Sequence, residues 1–393
     1  CNEAADISSY KPVFKTRTAP DPDHVKSAAR ELAAADKPVI YAGQGIHYSK
    51  AWPELKEIAE LLNAPVTTSI AGKSAFDETH PLALGSGGHA TSRMVYDFLY
   101  DADLIFGIGC SFAISSFATR MPKNKRYIHA TLDPVDLNKD IQAEIGIAGD
   151  AKLTLQALIA ELKTLDLKKA KSRKDPTPAA IAKVRAEWMQ EWLPKLTSDQ
   201  SPMTPYRVIH ELNQLVDKSK VVITHDAGSP RDQLIPFWQA THPLTYIGWG
   251  KTTQLGYGLP LAMGAKLAKP DHLCINVWGD AAIGFTGMDF ETAVRERIPI
   301  LSILFNNFSM AMEIPIMKVS DAKYNTCDIS GNYADMAKAF GGYAERITDP
   351  NEIVNALKRG IAATERGEAV LLEFITCKEL AMSLIYSSYG GSK

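Results

Sequence analysis

The sequence predicts an α/β protein built from two tandem doubly wound parallel-sheet domains. Three observations predict it. Short apolar runs rich in Val, Ile and Leu alternate with helix-length segments over most of the chain. Its 393 residues exceed what a single core usually serves. A polar, proline-punctuated stretch at 166–201 then divides the alternation into two blocks, 21–165 and 202–376.

In the first block, HVKSAARELAAA reads as a helix, KPVIYAG as a strand, WPELKEIAELLNA as a helix and PVTTSI as a strand. MVYDFLYDA (helix), DLIFGIGC and RYIHATLD (strands) and KLTLQALIAELKTL (helix) complete it. Strands separated by helices of this length need crossover connections, hence a parallel sheet. Gly43-Gln44-Gly45 and Gly107-Ile108-Gly109 each follow a strand, but neither extends to GxGxxG, so both read as tight turns. In the second block the strands are VVITHDAG, LTYIG, LCINVWGD, ILSILFNN and AVLLEFIT. The helices between them lie around 259–269, 289–297, 333–340 and 351–366. The divider carries Trp188, Trp192 and Pro194, as an amphipathic helix docking on a neighbouring domain does. Residues 1–20 read as a linker and 377–393 as an irregular tail.

Bulk properties exclude several function classes. A formal charge of −2 offers no field for nucleic acid, and the run Lys168, Lys169, Lys171, Arg173, Lys174 beside Pro176 reads as a solvated connector. Cys1, Cys110, Cys274, Cys327 and Cys377 show no metal or disulfide spacing, so a reducing, cytoplasmic setting is expected. No apolar stretch approaches the ~20 residues of a membrane span, and none is expected.

The stretch from Leu273 to Asn307 carries the chemistry. One strand ends at Gly279-Asp280, a helix follows, and the next strand ends at Asn306-Asn307. A right-handed crossover returns the second strand beside the first, so both ends meet at the carboxyl edge, where such sheets bind ligands. A carboxylate and an amide oxygen are hard ligands suited to magnesium, whose other partners are phosphates and water. Gly279, Ala281 and Ala282 leave backbone N–H groups open to a diphosphate. A helix cap at Asp280 and a turn residue at Asn307 is the alternative reading.

Gly-Asp-small, this spacer, and Asn-Asn resemble the signature of thiamine diphosphate (ThDP) enzymes, in their acetolactate-synthase-like and oxalyl-CoA-decarboxylase-like branches. The resemblance covers essentially the whole chain. It makes 21–165 a Rossmann-like central domain and 202–376 the domain that binds the cofactor's diphosphate. It implies Asp280, Asn307 and the Ser309 carbonyl as Mg2+ ligands. Gly228, Ser229, Thr253, Leu255, Gly279, Asp280, Ala281, Ala282 and Asn307 would contact ThDP. Ala281 stands where the family usually has Gly. Leu255 matches the apolar wedge beneath the two cofactor rings, and Thr253 would offer its carbonyl to the amino group. Glu313 matches an acidic position facing the reacting centre, with Met310 and Met312 beside it. His225 reads as structural. Asp133 marks where a ribose would sit if the central domain held FAD or ADP, and an unliganded central domain is the expectation.

The same resemblance implies carbon–carbon lyase, carboligase or decarboxylase chemistry on a 2-oxo acid or 2-hydroxyacyl-CoA. Its alternatives are a ThDP/flavin-dependent oxidase and a non-catalytic ThDP-binding paralogue. The family's activating glutamate belongs to a pyrimidine-binding domain ahead of these two. This chain is therefore expected to be a C-terminal portion that works with a companion chain, as a homodimer or tetramer.

Overall fold

Residues 8–14, 16–250 and 254–383 are described by the structure, a computed structural model. Six strands form the first sheet: β1 (Pro38–Ala42), β2 (Val66–Thr68), β3 (Ala83–Ser86), β4 (Leu104–Ile108), β5 (Arg126–Thr131) and β6 (Ile145–Ala148). The second holds β7 (Val221–His225), β8 (Tyr246–Ile247), β9 (Leu273–Gly279), β10 (Leu301–Asn306), β11 (Tyr343–Ile347) and β12 (Val370–Ile375). The orders are β3-β2-β1-β4-β5-β6 and β11-β12-β10-β9-β7-β8, and all the strand pairs run parallel. The predicted fold class is therefore the observed one. Strands β1, β4, β7 and β10 are buried along their whole length, as a sheet covered by helices on both faces requires.

Strands β3, β6 and β11, which the sequence reading missed, are all edge strands. An edge strand is enclosed on one side less, so it needs no continuous apolar run, and Tyr-Ala-Glu-Arg-Ile of β11 shows none. Among the helices that were also not anticipated is Ser229–Phe237. Pro230 and Pro236 hide it from a propensity argument.

The glycine turns of the first unit serve a close backbone approach. A Cβ at Gly43 would lie 2.2 Å from the Gly109 carbonyl oxygen, and the Gly45 N–H donates to that oxygen at 2.8 Å. The loops after β1 and β4, neighbours where strand order reverses, are pressed together there.

Several contacts join the units. The 21-residue helix Pro176–Leu196 stacks Trp188 on Phe237 at 4.9 Å between ring centroids, and its Trp192 meets Tyr206 and Phe237. Beside them, buried Lys73 contacts both carboxylate oxygens of Glu78 at 2.6 and 2.7 Å, and Glu78 accepts the Ala240 N–H at 2.8 Å. Arg173, expected in a solvated connector, instead donates to the carbonyls of Ala35 and Leu62 in the first unit. The described part of the tail also crosses over: Trp188 Nε1 donates to Ser383 Oγ, which donates to the Thr91 carbonyl.

Candidate functional site

In the second sheet the order reverses between β7 and β9, which places the loops after β7, β9 and β10 around one crevice. Register makes this concrete, since His225 pairs with Val277 and Phe305 with Gly279. A cleft there is lined by Gly228, Ser229, Leu255, Gly279, Asp280, Ala281, Ala282, Asn307, Ser309 and Glu313. The structure thus brings together every residue named from the sequence for the metal, ThDP or the reacting centre except Thr253, which lies outside the described residues. Met310 and Met312 line it too, whereas Asp133 caps an exposed turn through the Val135 N–H.

Asp280 opens the helix after β9 and is buried. Its Oδ2 accepts the backbone N–H groups of Asn307 and Ser309, each at 3.1 Å. Burial pushes its carboxyl up to about 6, while those N–H donors pull the other way. Desolvation wins, so the carboxylate is short of positive charge.

The adjacent asparagines divide their work. Asn306 points into the core, where its amide donates to Glu373 at 2.7 Å and its oxygen accepts the Phe308 N–H at 3.1 Å. That bond goes with a Phe308 φ of 58°, a left-handed turn that carries the chain back over the strand end. Glu373 is buried and also accepts the Ala334 N–H, so it holds the turn from below. Asn307 faces the other way, and its Oδ1 is buried with no hydrogen-bond partner among the described residues. Ser309 Oγ is in the same condition. Orphaned buried oxygens of this kind are costly unless a ligand satisfies them.

The opposite wall begins at Gly228, whose φ of +80° favours glycine and which precedes the helix Ser229–Phe237. Pro230 follows, with Cγ 3.5 Å from where a Gly279 Cβ would stand, so the two walls touch at their base. Asp226, which sequence reasoning passed over, fastens the third wall. Its Oδ1 accepts the Ala227 and Gly256 N–H groups at 2.8 and 2.9 Å, and its Oδ2 those of Gly256 and Gly258 at 3.1 Å each. Leu255 is thereby held against the cleft by its neighbour Gly256. The signal was visible as an acidic residue inside an apolar strand end, VVITHDAG.

His225 does not line the cleft. It is fully buried, its Nδ1 lies 2.9 Å from the Tyr257 hydroxyl, and burial pulls its pKa down to about 3, so it stays neutral. Arg231 was also overlooked. It lines the cleft although it is completely buried and bound to Asp232.

The metal and cofactor that the sequence resemblance implies call for a particular set of donors. No group of three or more His, Cys, Asp or Glu side chains that could hold a metal ion occurs among the described residues. The oxygens of Asp280 and Asn307 would instead share a cation with phosphate, as magnesium commonly requires. The unpartnered Asn307 Oδ1 and the start of a helix at Ser229 across the cleft suit that division.

Residues 25–158 match the family described as thiamine pyrophosphate enzyme, central domain, and residues 226–374 match thiamine pyrophosphate enzyme, C-terminal TPP binding domain. The chain is 30% identical over 394 residues to a probable acetolactate synthase large subunit of Methanococcus aeolicus, covering 95% of this chain and 63% of the relative. A probable acetolactate synthase large subunit of Methanocaldococcus jannaschii is 30% identical over 371 residues, 92% of this chain and 61% of the relative. The acetolactate synthase isozyme 3 large subunit of Escherichia coli is 27% identical over 386 residues, 94% of this chain and 64% of the relative. This chain therefore spans 61–64% of the length of these three relatives. On both matches and on these likenesses, the chain belongs to the thiamine pyrophosphate-dependent enzymes and carries that family's central and C-terminal domains.

Proposed function

We propose that this chain holds ThDP with Mg2+ and serves a carboligase acting on a 2-oxo acid. The observation that carries the reading is the convergence of Asp280, the unpartnered Asn307 oxygen and the helix start at Ser229 on one cleft. Asp280 and Asn307 would take the cation through side-chain oxygens, with Ser309 completing the set. The N–H of Ser229 and the small residues Gly279, Ala281 and Ala282 would receive diphosphate oxygens. When bound, the cofactor supplies a nucleophilic carbon and an electron sink for making and breaking carbon–carbon bonds.

The other lining residues have distinct work under this reading. Leu255, pinned through Gly256 to Asp226, would wedge beneath the cofactor, and Thr253 would meet its amino group. Met310 and Met312 wall the cleft with apolar, adaptable side chains that keep water from the reacting centre. Glu313, half-buried in the turn Ala311–Glu313 and lining the cleft, would be the acid that gives or takes a proton there. The relatives are longer than this chain, and the carboxylate that activates the pyrimidine is sought in that additional length. Mass analysis of the native assembly reads out a companion chain and the dimer or tetramer expected of it.

The test is calorimetric. Asp280→Ala is expected to abolish magnesium-dependent ThDP binding, because the cation loses its only charged protein ligand in this scheme. An unchanged dissociation constant, or one still sensitive to magnesium, removes the assignment.

A further inference from the structure

Arg231 has no role in the scheme above, yet its state asks for a ligand. The side chain is completely buried. Nε and Nη2 donate to the two oxygens of Asp232 at 2.8 and 2.9 Å, and the guanidinium lies over the Phe117 ring at 4.8 Å. Phe117 belongs to the first unit, so the arginine is clamped from both domains. Nη1 remains, buried and without a hydrogen-bond partner among the described residues, on a residue that lines the cleft. An unpartnered N–H of a buried charged group is expensive, and nothing else described in the fold compensates for it.

The geometry favours a particular acceptor. Arg231 follows Ser229 by two residues, and at about 100° per residue the two side chains leave the helix on nearly opposite sides. The N–H groups at the helix start serve one position, and the guanidinium serves another, toward Phe117. Asp232 neutralises the arginine, so the pair adds little net field. It presents a single rigid donor beside an aromatic face, which suits one oxygen of a small planar carboxylate better than a polyvalent diphosphate.

We propose that Arg231 Nη1 binds the carboxylate of the 2-oxo acid substrate and so sets the enzyme's preference for an acid over an uncharged carbonyl compound. The inference rests on the cofactor reading for the identity of the reaction, though not for the presence of an anion subsite.

The test titrates the purified protein, with and without ThDP and Mg2+, using pyruvate and its methyl ester as probes, for wild type, Arg231→Lys and Arg231→Gln/Asp232→Asn. The double variant keeps the buried pair neutral so that folding survives, and circular dichroism checks it. Wild type is expected to prefer pyruvate over the ester by about tenfold or more, the worth of one hydrogen bond to a charged group. The double variant is expected to lose that preference while its ThDP dissociation constant stays within about twofold. Arg231→Lys, with the charge but not the fork, should fall between. A wild type with no preference, including one that binds neither probe, overturns the proposal. So does a double variant that keeps the preference, or one whose ThDP affinity falls in step with its pyruvate affinity, which assigns Arg231 to the phosphate end. Failure of wild type to bind ThDP while preferring pyruvate over the ester would sink the cofactor reading and leave the anion subsite standing.

Discussion

Asp226→Asn is the substitution that probes most directly how the site is built. Three buried N–H groups, from Ala227, Gly256 and Gly258, end on this one carboxylate at 2.8–3.1 Å. Asparagine is nearly the same size, so no cavity opens. One oxygen becomes an NH2 group, however, and faces an N–H that then has no acceptor. A hydrogen bond to a charged acceptor contributes about 1.5–3 kcal/mol, and a buried donor left unmade costs a similar amount. Some is recovered, because burial holds the Asp226 carboxyl above its usual range and a neutral amide is easier to bury. The net expected loss is about 2 kcal/mol, or roughly 4–8 °C in the melting of the second unit. Calorimetry and urea titration measure the loss, and hydrogen exchange locates it in the amides of Gly256 and Gly258. ThDP binding is expected to weaken as well, because Leu255 is released with Gly256. A variant within about 0.5 kcal/mol of the parent, or with unchanged protection at both glycines, refutes the clamp.

His225 gives a pH signature. Its folded pKa of about 3 lies below the ordinary histidine value of 6.5, so protons bind the unfolded chain first as pH falls. The stabilisation is complete above pH 6.5 and is lost toward pH 3, at about 1.4 kcal/mol per pH unit. His225→Gln is therefore expected to show a shallower decline of stability between pH 6 and 4 by close to one proton, read from urea titrations at several pH values. Equal slopes contradict the buried neutral histidine. Gly43→Ala places a methyl 2.2 Å from the Gly109 carbonyl oxygen, where backbone on both sides must move. A loss of about 3 kcal/mol is expected in the first unit, and a thermal midpoint equal to the parent's would show that the loops are not in contact.

The sequence by itself determined the fold class and named most of the residues that the structure gathers around the cleft. Strands buried on both faces are mostly apolar, so β1, β4, β7, β9 and β10 announce themselves as runs, and helices between them force parallel pairing. Gly279-Asp280 and Asn306-Asn307 stand at the ends of two such runs, and crossover handedness alone brings them together. Edge strands β3, β6 and β11 escaped because an edge asks less of its residues. Tertiary structure decided which neighbour each polar group meets. Two asparagines side by side look alike in sequence. Only the packed turn shows that Asn306 is spent on Glu373 and Phe308 while Asn307 Oδ1, beside the cleft, has no hydrogen-bond partner among the described residues. What Asp226 and Arg231 are bound to was illegible for the same reason: Asp226 meets N–H groups up to 32 residues away, and Arg231 an aromatic ring from the other domain. Local pattern records how much of a residue is buried; what it is buried against is settled only when distant segments meet.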